Sequence, residues 1–169
     1  MKILLLSDSH GRTENIEPVL ERLSGHVGAV IHLGDGAADI SRFSQIYPEL
    51  KFYSVAGNCD SHGEGRLLLH VEGKTILAVH GHKQYVKSGY ERLIGFAEEL
   101  SADVCLFGHT HTPDIFRFGE TLFINPGSIS FPHHPNPPTY GVLDIGAYGI
   151  NAGIVEIYSK NKFRSWSGG

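Results

Sequence analysis

Cysteine is nearly absent from this 169-residue chain. Cys59 and Cys105 stand far apart and outside any C-x-x-C spacing, so neither a disulfide framework nor a thiolate zinc site is indicated. Long apolar runs are missing too. Ile3-Leu4-Leu5-Leu6 is far too short for a signal-peptide core or a membrane span, and it runs straight into the polar Ser7-Asp8-Ser9-His10. The expectation is a cytoplasmic protein with no membrane partner. There is no basic run, and the formal net charge is −4, so the electrostatic footprint of a protein that binds extended nucleic acid is lacking. A small phosphate compound remains compatible. The 41% apolar and 19% charged residues are ordinary for a soluble domain and exclude disordered and fibrous classes. With no internal repeat, linker or boundary, residues 1–169 read as one domain.

Histidine, by contrast, is abundant. Eleven residues exceed what solubility or packing requires. The excess points to a nitrogen-ligated metal or to acid–base chemistry.

Lys2 to Leu6 reads as a buried strand, followed by an amphipathic helix from Asn15 to Leu23 with Pro18 in its first turn. Ala29 to Leu33 is a second strand, about Asp39 to Ile46 a weaker helix, and Phe52 to Val55 a third strand. Such alternation implies parallel pairing with crossover helices. Leu67 to Val71 and Thr75 to Val79 flank the hairpin signal Glu72-Gly73. A helix from Tyr90 to Leu100 then leads into the strand Val104 to Phe107. Beyond it helices stop: Ile115–Phe118, Leu122–Ile124, Thr139–Ile145, Gly153–Tyr158 and Lys162–Trp166 read as an antiparallel run. Trp166 is assigned to core packing, and Phe131 to Pro138, with four prolines, to an irregular loop. The expected architecture is a mainly parallel sheet packed on a mostly antiparallel one, with helices outside.

In open α/β sheets, ligands bind outside the carboxyl ends of the strands. Here those ends carry Asp8 and His10, then Asp35, then Asn58, then His80, then His109 and His111. Each alone has a bland reading: Asp8 as a helix cap, Gly34-Asp35-Gly36 and Gly57-Asn58 as turns, His80 as a satisfied core histidine. Independent turn requirements would not place ligand types at all five ends. If His109 and His111 continue a strand, their side chains share a face. Three Asp or Asn oxygens and four imidazoles exceed the needs of one ion and divide naturally between two. Their O/N mixture without thiolate favours Mn²⁺, Fe²⁺, Ni²⁺ or Zn²⁺ over calcium and does not by itself choose among them; manganese is the expected ion. Two such ions suit hydrolytic phosphoryl chemistry.

At Asp8-Ser9-His10, Gly34-Asp35, Gly57-Asn58, His80-Gly81-His82 and Gly108-His109-Thr110-His111 the chain resembles the calcineurin-like metallophosphoesterase superfamily. Its length and Asn125-Pro126-Gly127-Ser128 resemble the small prokaryotic YfcE-type phosphodiesterase branch. The resemblance implies an α/β/β/α sandwich of mixed sheets. It also implies one ion on Asp8, His10, Asp35 and His111 and another on Asp35, Asn58, His80 and His109, with Asp35 as the bridge.

One departure concerns the residue after the motif asparagine. The larger family often has a histidine there, implied to protonate the leaving oxygen, and this chain has Cys59. A thiol can donate a proton but lacks the cationic hydrogen bond of imidazolium, so packing is the stronger reading for Cys59. Asp60 reads as orienting the loop or as no more than part of the turn. Asn58 and His82 are candidates for stabilising charge on the phosphate. Arg12 reads equally as a phosphate clamp or a helix-start residue. His133 and His134 read as solvated loop ahead of an edge of the cleft or a subunit contact, and His26, His32, His62 and His70 as surface or core. The functional expectation is hydrolysis of a small phosphodiester by a metal-bridging hydroxide. A non-catalytic protein-interaction scaffold on the same fold is the rival, and homo-oligomerisation stays open. A metal-dependent nuclease is disfavoured because the basic surface is lacking.

Overall fold

The structure is a computed structural model that describes residues 1–146, 149–159 and 162–166. The side chain of Trp166 lies outside the described residues. Strands β1 (Lys2–Leu6), β2 (Ala29–His32) and β3 (Lys51–Ser54) alternate with helices α1 (Ile16–Leu23) and α2 (Phe43–Ile46). Next come β4 (Arg66–Val71), β5 (Lys74–Val79), α3 (Glu91–Glu99) and β6 (Val104–Leu106). The chain continues through β7 (Pro113–Phe118), β8 (Thr121–Pro126), β9 (Thr139–Gly146), β10 (Gly149–Ser159) and β11 (Lys162–Trp166).

Two sheets result, ordered β11-β10-β9-β1-β2-β3 and β4-β5-β6-β8-β7. Both sheets are mixed, as expected, but the second is not mostly antiparallel. In the first sheet β1, β2 and β3 are parallel, and β9 joins β1 antiparallel, with Ile3 opposite Leu143. The second has β5, β6 and β8 parallel at its centre and antiparallel edges. Chain order misleads here because β9 to β11, although last, return to the first strand of the chain.

Alternation within strands builds three apolar layers. Ile3 and Leu5 face the second sheet, where they meet Val104 and Leu106. Leu4 and Leu6 face outward beneath Ile16, Val19 and Leu20 of α1. On the far side Cys105 and Phe107 pack with Leu93 and Ala97 of α3. Both faces of β1 and β6 are therefore covered, which is why these strands read as continuous apolar runs. The α/β/β/α sandwich of mixed sheets follows from these layers.

Helix α1 starts one residue later than expected, because Asn15 spends its amide on the Ile129 carbonyl. Helix α2 is only four residues long. Residues ahead of it form consecutive turns, and the Asp39 carboxylate is engaged by Ser9 and Gly11. Glu72 and Gly73 have φ of 50° and 75°, as a tight two-residue hairpin turn between β4 and β5 requires.

Candidate metal centre

The loops after β1, β2, β5 and β6 meet at one rim of the sandwich. His80 Nδ1 donates to the Leu33 carbonyl at 2.7 Å, and the Gly108 N–H donates to His80 O at 3.0 Å. The candidate ligands leave their strands through unusual backbone. Among the described residues, eight non-glycine residues have positive φ, and five are Asp8, His10, Asp35, His109 and His111. Such conformations cost free energy and persist where the surroundings over-determine them, commonly at functional sites. They also correct the expectation for the histidine pair. His109 and His111 lie past the end of β6 in left-handed turns, φ 68° and 58°, so they do not share a strand face.

The two rings diverge into separate groups. Asp8, His10 and His111 converge, with His10 Nε2 3.2 Å from His111 Nε2 and His111 Nε2 3.2 Å from Asp8 Oδ1. Asp35, His80 and His109 form the second group, where His80 Nε2 lies 3.2 Å from His109 Nδ1. One atom reaches both groups: Asp35 Oδ2 is 3.4 Å from His80 Nε2 and 3.8 Å from His10 Nε2. Its partner oxygen, Oδ1, accepts the Cys59 N–H at 2.8 Å.

Neighbouring contacts set which nitrogens face inward. His80 Nδ1–H is held by Leu33 O and His111 Nδ1–H by Phe131 O at 2.6 Å, which leaves both Nε2 atoms as acceptors when the rings are neutral. Burial pushes the Asp8 carboxyl up, but His111 beside it, the charge of His80 and the Ser7 hydroxyl outweigh burial and hold it below its ordinary value. Asp35 follows the same balance, dominated on the lowering side by His80, and lies well below the carboxylate range. For His80 burial opposes protonation and Asp35 overcomes it, raising the ring. His111 is raised chiefly by Asp8. His109 is lowered to about 4 by burial and by the charges of His80 and Lys87.

These residues suit divalent cations. Among the described residues the buried side-chain polar atoms without a hydrogen-bond partner are Asp8 Oδ1 and His82 Nδ1, and both lie here. An enclosed carboxylate oxygen left unbonded is costly unless a cation completes it. Asp8 Oδ2, in contrast, accepts from the Ser7 hydroxyl at 2.5 Å and the His109 N–H at 3.1 Å, so the side chain is braced with one oxygen aimed inward. Acceptor nitrogens and carboxylate oxygens in two groups fit divalent metal ions.

A supporting layer holds the ligand loops. The Asp60 carboxylate accepts four backbone N–H groups, from Asp35, Gly36, Ala37 and Gly57, at 2.8–3.1 Å. A Cβ on Gly57 would sit 2.1 Å from Asp35 Oδ1, and one on Gly108 2.1 Å from Ser7 Oγ. Side chains at these glycines would displace the carboxylates. Asn125 Nδ2 donates to Gly108 O and Thr110 Oγ1, and Ser128 Oγ donates to Asp8 O at 2.7 Å. Residues 125–128, which entered from sequence as a family likeness, thus also brace the site. No local signal marks this, because its partners lie 15 to 120 residues away.

Other sequence candidates fall as follows. Asn58 is exposed, and its amide lies 3.3 Å from Cys59 Sγ. Cys59 is also exposed, so the packing reading is wrong. Its Sγ lies in a group with His10 and Asp35, which puts a sulfur at a centre expected to lack thiolate. The ring of His82 sits 5.4 Å from that of His80 and 6.2 Å from that of His109. Arg12 is exposed, its guanidinium 4.0 Å over the Phe131 ring. His133 is exposed and stacks on His111 with centroids 5.3 Å apart, so the proline-rich loop edges the centre. His32 is fully buried; it bonds Ser9 Oγ and accepts from the Gly34 N–H, one layer beneath the ligands.

Comparison with known proteins agrees with this geometry. The calcineurin-like phosphoesterase superfamily domain matches residues 1–147. YsnB of Bacillus subtilis (strain 168), named a probable metallophosphoesterase, is 36% identical over 148 residues, spanning 86% of this chain and 85% of its own. Phosphodiesterase YfcE of Escherichia coli (strain K12) is 33% identical over 172 residues, 85% of this chain and 88% of its own. A crystal structure from Streptococcus pneumoniae TIGR4, described as a predicted phosphoesterase, superposes with a TM-score of 0.78 at 29% identity, covering 99% of this chain and 97% of that one. With ligand motifs, sandwich and sequence in agreement, this chain belongs to the calcineurin-like phosphoesterase superfamily.

Proposed function

We propose that the chain is a two-metal phosphodiesterase acting on a small phosphodiester, with Asp8, His10, Asp35 and His111 holding one divalent ion and Asp35, Asn58, His80 and His109 the other. The observation that carries this reading is Asp35 Oδ2, one oxygen within 4 Å of an imidazole nitrogen from each group. Bound there, two divalent ions, manganese by preference, supply a hydroxide at neutral pH and neutralise charge on the attacked phosphate.

The chain's own residues position these parts. Asp60 fixes the Asp35 turn, while Leu33 O and Phe131 O orient His80 and His111. Asn58 and His82 stand at the mouth of the centre and stabilise the oxyanion charge. Cys59, the one thiol there, is a weak substitute for an imidazolium acid. The reading also takes residues 1–169 as one domain of a cytoplasmic protein with a small phosphoester substrate and no extended nucleic acid. Retention of all seven ligand types weighs against a non-catalytic scaffold.

The deciding experiment is a panel of phosphodiesters and monoesters assayed with each divalent metal after chelation. Metal-dependent turnover favouring diesters is expected. Absence of turnover with every metal, from protein that binds two ions, would establish the scaffold instead.

A further inference from the structure

Beside the second ligand group lies a cavity of about 400 Å³, lined among others by Asn58, Asp60, His62, Gly65, His82 and Lys83. That volume falls in the range of small-molecule sites, roughly 300–1,000 Å³. Its polar side chains include the Lys83 ammonium, the Asn58 amide and the His62 and His82 rings, all able to donate a hydrogen bond. Lys83 is exposed, and its Nζ lies 3.2 Å from where a Cβ on Gly65 would stand. His62 is exposed to the cavity's opening, and His82 keeps a buried Nδ1 without a hydrogen-bond partner. The acidic lining residue, Asp60, already has its carboxylate bound by four backbone N–H groups. His82 lines the cavity and its ring lies 5.4 Å from that of His80, which sets the cavity beside the metal centre.

A second hollow of about 300 Å³, on the other side of the Asn58–Asp60 turn, has the opposite character. It is lined by the candidate ligands His10 and Asp35 and by Asp39, Cys59 and Asp60, with no lysine or arginine among its lining residues. The two sides of the centre are thus unlike in charge.

We propose that the cavity formed by His62, His82 and Lys83 is a subsite for an anionic group, a carboxylate or a second phosphate, borne on one ester arm of the substrate. The proposal rests on the phosphodiesterase reading and narrows its substrates to diesters with an additional negative charge. The charged arm lies toward Lys83, and an uncharged arm lies toward Asp39.

The test uses two matched esters, p-nitrophenyl butyl phosphate and p-nitrophenyl 3-carboxypropyl phosphate, with the manganese-loaded protein. Their leaving group is identical, so their ratio of kcat/KM reports the arm alone. A preference of about tenfold for the carboxylated ester is expected, the size of one hydrogen bond to a charged group, and the ratio should fall toward one in Lys83→Ala. In parallel, metal-free protein is titrated with inorganic phosphate and followed by NMR. The imidazole signals of His62 and His82 and the amides of Gly63 and Gly65 should shift, and should stay still in Lys83→Ala. A ratio of one in the unaltered protein, a ratio kept by Lys83→Ala, or unmoved His62 and His82 signals overturns the subsite. If neither ester is hydrolysed with any metal, the phosphodiesterase reading fails, and the titration alone decides the subsite.

Discussion

Asp60 stands directly behind Asp35: its Oδ2 accepts the Asp35 N–H at 2.8 Å and the Gly57 N–H at the same distance. One carboxylate thereby ties the turn that presents Asp35 to the turn that presents Asn58. These bonds hold Asp60 below the ordinary carboxylate range although burial pushes the other way. Asp60→Asn replaces an acceptor with an amide that faces further donors. The expected loss is about 2–3 kcal/mol of stability, together with weaker metal binding. Urea unfolding and metal titration of the variant check both, and an unchanged midpoint with unchanged affinity would refute the bracing role.

Metal content offers a second test. Two divalent ions per chain are expected, with activity lost on chelation and restored by metal. Asp35→Asn should lower occupancy at both positions, because its Oδ2 reaches both groups. His109→Ala and His111→Ala should each lower it at one position only, since the rings belong to different groups. Elemental analysis after reconstitution reads this directly, and equal, full occupancy in all three variants would return the histidines to ordinary turn residues.

His32 makes stability depend on pH. Burial lowers its folded value to about 4, against 6.5 for the free side chain, with nearby Asp8 and Asp39 only partly compensating. On acidification the unfolded chain therefore takes up this proton first. The stabilisation is complete above about 6.5 and is lost as pH falls toward 4, by about 3 kcal/mol in all. His80 and His111, raised by their aspartates, act in the opposite sense. Comparing urea unfolding of metal-free protein and His32→Asn across pH 4–7 isolates the His32 part. Parallel curves for the two proteins would contradict it.

Cys59 bears on the leaving group. A neutral, exposed thiol is a poor general acid, so turnover should depend steeply on leaving-group acidity, with aryl diesters cleaved well and alkyl diesters poorly. Cys59→Ala should change rates less than about threefold, far below the roughly 10²–10⁴-fold typical of a lost general acid. A leaving-group series on both proteins is the measurement. A large loss concentrated on the poorest leaving groups, with metal content intact, would make the thiol the acid.

The candidate ligand residues were legible in the sequence itself. Buried parallel strands must be apolar along their length, so a polar Asp, Asn or His at each strand end stands out against the run before it. β1 into Asp8 and β6 into His109 show this directly, and the periodicity of α1 and the Glu72-Gly73 turn were equally local signals. What lay beyond the sequence was everything set by contacts across the chain. β9 pairs with β1, so the sheets are mixed; His109 and His111 part company because left-handed turns replace the assumed strand; Ser128 braces Asp8 from 120 residues away. Local patterning reports how a segment meets its own surroundings, apolar or wet. The pairing of Asp60 with Asp35, the orphaned oxygen of Asp8 and the stacking of His133 on His111 exist only once tertiary packing brings distant turns to one rim.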